Sequence, residues 1–138
     1  MRRFVPLFAG TLIFLAALVT LACGGRQLQS VALSPTSAEA QNFPNGQVPF
    51  AAKGTFSSPP SPVTLTSKDV VWCVGDSTGA CPGNINTGAS VDLNGLAQCN
   101  SGFVGTATIL AGKVASTLTN PDGGSQLKVF GSAQLTCP

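Results

Sequence analysis

Between Leu28 and Cys137, apolar residues recur at every second position, in runs broken at intervals of roughly ten residues by Pro, Gly, Asn and Ser. An amphipathic helix needs apolar residues every three to four positions, so this spacing points to short strands and an all-β domain. Leu28 to Leu33 is a first strand, and Ser34-Pro35-Thr36 bends it. From Gln47 to Phe56, one face carries Val48, Phe50, Ala52, Gly54 and Phe56, while Lys53 and Thr55 point the other way, as a half-buried strand requires. Ser57 to Pro62 is a Ser/Pro loop. Val70, Trp72 and Val74 share a face of the next strand, which makes Trp72 a core residue. Asn94-Gly95 marks a turn between Val91 and Leu96, because both residues tolerate positive φ. Gly105 to Ala111 places Ala107, Ile109 and Ala111 inward and Thr106 and Thr108 outward. Leu127 to Leu135 closes the series after the turn Asn120-Pro121-Asp122-Gly123-Gly124.

The segment before these strands is of another kind. Arg2 and Arg3 precede an uncharged stretch from Val5 to Ala22, which ends in Thr20-Leu21-Ala22-Cys23-Gly24-Gly25. A positive start, an apolar core and a small residue before the cut are the marks of an export signal, here residues 1–22. An uncleaved membrane helix is one alternative, since about 18 apolar residues just span a bilayer. A plain secretory signal is the other. Without Arg2 and Arg3, five basic residues face five acidic ones, so residues 23–138 carry no net charge. Arg26, Lys53, Lys68, Lys113 and Lys128 are scattered along the chain. That scatter argues against nucleic acid and against anionic lipid headgroups as partners.

Two resemblances follow from these residues. Ala22-Cys23 resembles the end of a bacterial lipobox, where the peptidase cuts before a lipid-modified cysteine. The resemblance implies diacylglycerol on the Cys23 thiol and a membrane anchor. By resemblance to other lipoproteins, the absence of Asp at position 24 implies the outer membrane rather than inner-membrane retention in a two-membrane bacterium. Residues 23–27 would then be a short tether, at most roughly 14 Å from Gly24 to Gln27 if extended. Seven or so strands around one Trp suit an immunoglobulin-like β-sandwich, with a small closed barrel as the alternative. Residues 28–138 resemble the group 2 bacterial Ig-like domains of intimin- and invasin-type surface proteins. The matching stretches are Leu28 to Pro35, Gln47 to Phe50 with Gly54-Thr55-Phe56, Val70-Val71-Trp72, Val91 to Ala97 and Gly105 to Ile109. This resemblance implies structural or adhesive contact with a protein or a glycan.

Cys73, Cys81, Cys99 and Cys137 form an even set in an exported domain, for which two disulfides are the default. Three pairings are open. In an Ig-like topology, strand direction would bring all four toward one end, and alternation turns Cys73 away from the Trp72 face. Both points favour Cys73–Cys81 and Cys99–Cys137 over a bridge through the core.

Little in the chain points to catalysis. There is no His, so the commonest general base and zinc ligand is missing. The spacing of Asp69, Asp76, Asp92 and Asp122 does not demand a facing carboxylate pair, and each reads as a turn residue. No cofactor or metal is implied. Phe130 lies out of phase with Leu127, Val129 and Leu135, and with Phe103 it is the candidate exposed aromatic for ligand contact. The expectation is a non-enzymatic, lipid-anchored envelope module. The alternative is a secreted carbohydrate-binding or inhibitor module.

Overall fold

The computed structural model describes residues 25–82, 87–117 and 124–138. The export signal, Cys23, Asp122 and most of the turn before Gly124 lie outside them. Among the described residues are eleven strand segments and two single-turn 3₁₀ helices, so the chain is all-β. The strands are β1 (Leu28–Ser34), β2 (Ser37–Glu39), β3 (Gln47–Pro49), β4 (Ala51–Phe56), β5 (Val63–Thr64), β6 (Val71–Gly75), β7 (Ala80–Pro82), β8 (Ala89–Val91), β9 (Leu96–Cys99), β10 (Gly105–Thr117) and β11 (Gly124–Cys137).

They form three sheets. The first runs β1-β4-β5, the second β2-β11-β10-β6, and the third β3-β9-β8. The segment count exceeds seven by four: two arise where the chain changes sheets, and β5 and β7 are short added segments that pair with β4 and β11. The run expected as one strand from Gln47 to Phe56 divides at Phe50: β3 pairs antiparallel with β9, and β4 pairs antiparallel with β1. At the break, the Phe50 amide donates to the Gly95 carbonyl over 2.9 Å. The inward phase survives the break, with Val48, Phe50, Ala52 and Gly54 all buried. Likewise, the chain leaves β1 at Ser34-Pro35 and resumes as β2, which pairs in parallel with β11 at Ser37↔Gln134.

The inner faces meet in one core. Leu28, Val31 and Leu33 of β1 join Val48, Phe50, Trp72, Val74, Ala97, Ile109, Ala111 and Leu135. Trp72 is buried at 8% exposure, as its phase requires. Ala107, Ile109 and Ala111 also point inward as expected. β1 lies close over β11 at Gly131, where an added Cβ would stand 2.6 Å from the Val31 carbonyl oxygen.

The long hairpin of β10 and β11 carries a second small core on its other face. Leu110 is fully buried there with Cys81 and Leu127, and Cys73 and Phe130 pack against them. The cover comes from β7, which pairs antiparallel with the Gly124 end of β11, while β6 pairs antiparallel with β10. Strand β10 is therefore buried on both faces from Ile109 to Gly112.

The turn at Asp92–Leu96 corrects one expectation. Only Gly95 has positive φ, at 83°; Asn94 does not. Gly95 N donates to Asp92 O, and Asp92 N donates to Leu96 O, so three residues lie between the bonded pair Asp92 and Leu96, with the left-handed residue last. A Cβ at Gly95 would stand 2.4 Å from the Phe50 carbonyl oxygen and 2.8 Å from Trp72 Cζ2. The left-handed backbone alone costs an alanine roughly 1–2 kcal/mol. Gly95→Ala is therefore expected to lower unfolding free energy by at least about that much in urea denaturation. An unchanged midpoint would show that the turn is not held as described.

Candidate functional site

Three of the four aspartates serve turns. Asp76 and Asp92 repeat one device: Thr78 N and Ala80 N donate to Asp76 Oδ1, and Asn94 N and Leu96 N donate to Asp92 Oδ1. Each aspartate stands three residues before a glycine of positive φ, Gly79 at 82° and Gly95 at 83°. Asp69 Oδ2 accepts from Thr66 N and Thr66 Oγ1, both at 2.8 Å. These donors favour the ionised form and hold all three carboxyls below the ordinary aspartate range. For Asp69, the Thr66 hydrogen bonds are the largest cause, and the positive charges of Lys113 and Arg26 add to them.

A depressed folded pKa has a definite sign. The ionised carboxyls contribute stability that is present above the unfolded aspartate value of about 3.9. It is lost as pH falls through the lower folded values. The chain has no His, so no side chain of ordinary pKa titrates between about pH 5 and 8. Thermal melts are therefore expected to be flat across that range and to fall below about pH 4. A loss of stability already at neutral pH would contradict this assignment.

The two aromatics proposed for ligand contact are half-buried rather than exposed. The Phe130 ring packs over the turn before β7, where a Cβ on Gly79 would lie 2.4 Å from Phe130 Cε1. It is opposite in phase to Val129 and Leu135 of the main core, but not to Leu127: the register shift between Lys113 and Val114 turns Leu127 to the same face, and both residues pack in the second small core. The Phe103 ring packs against the main core and over Gly88, where an added Cβ would lie 2.5 Å from Cε2. Strand phase could not distinguish a second buried face from an exposed one.

Both disulfides are formed, Cys73–Cys81 and Cys99–Cys137, each with Cα atoms 5.8 Å apart. They do not share one end. Cys137 pairs with Gly105 at the start of β10, whereas Cys81 lies opposite Ser125 at the far end of β11. The reason is the second small core, which draws the β6–β7 hairpin over the distal half of β10 and β11.

The start of the domain is held rather than free. The Arg26 guanidinium stacks 3.8 Å from the Phe56 ring centroid and donates to the carbonyls of Ser58 and Pro60. Gln27 N donates to Ser57 Oγ, and Ser57 N returns a bond to Gln27 O. The expected tether of residues 23–27 thus has its last two residues tied to the Ser/Pro loop.

The fold also gathers cations that the sequence scatters. Lys68 and Lys113 line one surface groove with Asp69, and Arg26, Lys113 and Lys128 line the next. Lys113 and Val114 belong to both grooves, so the two are adjacent. Four of the five basic residues after Cys23 thus stand at one place. The missing signal was topological: β10, β11 and the chain ahead of β1 meet there although 87 positions separate Arg26 from Lys113 in number.

Among the described residues, no group of three or more His, Cys, Asp or Glu side chains could hold a metal ion, and no helix is long and apolar enough to cross a membrane. Compared with protein-family models, curated proteins and solved structures, the chain matches none.

Proposed function

We propose that the protein is a lipid-anchored, immunoglobulin-like module of the bacterial envelope that works by contact rather than catalysis. The observation that carries the proposal is the strand order. Taking β3 and β4 as one strand, β1, β3–β4, β9 and β8 stand in the order A-B-E-D, and β6, β10 and β11 stand in the order C-F-G. The parallel strand β2 extends the second set beside β11. The described aspartates support a non-catalytic role, since their oxygens accept hydrogen bonds from turn residues. The anchor reading rests on Cys23 and the apolar stretch before it. The partner reading, a protein or a glycan, rests on the family resemblance alone, because sandwiches host many functions.

Mass spectrometry of the chain isolated from envelopes tests the anchor. The expected N-terminus is Cys23 carrying diacylglycerol and an amide-linked acyl chain. An N-terminus beyond Cys23, or an unmodified Cys23, would sink the reading. For the contact role, the anchored chain is expected to retain a saturable partner from envelope extract. Hydrolysis of an envelope glycan by the purified chain would overturn it.

A further inference from the structure

We infer that the cationic end built by Arg26, Lys68, Lys113 and Lys128 rests on the anionic headgroups of the membrane to which the chain is anchored. The inference rests on the lipid-anchor reading above and adds an orientation to it. Three observations converge. The first is charge: among the described residues, four cations and one carboxylate, Asp69, line the two adjacent grooves. The Arg26 guanidinium is stacked on Phe56 and bonded to two carbonyls, and neither neutralises it. Glu39 stands at the far end of β11, opposite Thr136.

The second observation is reach. Arg26 is fixed to the domain, and only Gly24 and Gly25 separate it from Cys23. Three residues span about 10 Å at full extension. A lipid on Cys23 therefore holds the Arg26 end within roughly one Debye length of the headgroups, where their charge is not screened away. The third is composition. Val71 and Val114 are 42% and 41% exposed beside Lys68 and Lys113. Aliphatic side chains next to lysines suit the boundary between headgroups and acyl chains. Juxtamembrane basic clusters of this kind attract anionic lipid.

The test uses the acylated chain in vesicles. One set is pure phosphatidylcholine, and the other contains about one-third phosphatidylglycerol. A water-soluble amine reagent labels the lysines, and peptide mass spectrometry reads Lys68, Lys113 and Lys128 against Lys53, which lines neither groove. Labelling of the three relative to Lys53 is expected to fall several-fold in the anionic vesicles and to recover in about 0.5 M salt. Equal ratios in both vesicles would overturn the inference while leaving the anchor intact. Protection that appears only when envelope protein or glycan is added would also overturn it, by assigning the surface another occupant. A chain that fails to float with neutral vesicles lacks the anchor, which overturns the parent reading and the orientation with it.

Discussion

Replacing Cys99 and Cys137 together by alanine is expected to lower the unfolding free energy by about 3.9 kcal/mol, the chain-entropy value for a loop of this length. The bridge ties the end of β9, in the third sheet, to the end of β11, in the second, across a sequence separation of 38. It also closes the loop that contains β10, the centre of the second sheet. Cys137 is buried at 3% exposure in the main core, so truncation removes packing as well. The Cys73–Cys81 bridge closes only the β6–β7 hairpin, with a separation of 8, and its removal is expected to cost about 2.6 kcal/mol. At roughly 4 °C per kcal/mol for a domain of this size, the long bridge corresponds to a melting shift of about 15 °C. Calorimetry of the two double variants checks the order. A larger loss from the short bridge would mean that the second small core, not the link between sheets, limits stability.

Leu110→Ala is expected to cost about 2–5 kcal/mol, as much as Ile109→Ala beside it. The two residues are neighbours on β10, point to opposite faces, and are each 0% exposed. A strand with one wet face would give a large loss at Ile109 and almost none at Leu110, since surface truncations usually stay within about 0.5 kcal/mol. Here Leu110 fills the second small core with Cys81 and Leu127. Removing its branched end leaves a cavity that the disulfide-closed β6–β7 hairpin cannot easily collapse into. Urea denaturation of the two single variants decides the matter. A Leu110→Ala midpoint equal to that of the parent chain would show that the second face of β10 is effectively solvated.

The same strand shows how far alternation can be read. The phases of Val48 to Gly54, of Trp72 and of Ala107 to Ala111 were legible because each inner face is apolar and the period of two is unbroken. Of the two reasons for the cysteine pairing, the phase that turns Cys73 away from the Trp72 face held, and the common end expected for all four cysteines did not. The Asp-x-x-Gly spacing at 76–79 and 92–95 was a readable signal for both turns, beyond the Asn94-Gly95 dipeptide alone. The division of the β3–β4 run at Phe50 left no local trace, because the phase continues while the hydrogen-bonding partner changes.

The sequence by itself determined the all-β class, most of the side chains that face the main core, and the turn positions of Asp69, Asp76 and Asp92. Those properties depend on residues within a few positions of one another: side-chain alternation, glycine at positive φ, and aspartate beside free backbone amides. Tertiary structure alone decided that the middle of β10 is buried on both faces and that Phe130 packs instead of facing solvent. It also decided that the two disulfides lie apart and that Arg26, Lys68, Lys113 and Lys128 meet at one end. These depend on which distant strands are brought side by side. A strand's outward face looks the same in sequence whether water or another hairpin covers it, and scattered charges acquire a common field only when the chain folds them together.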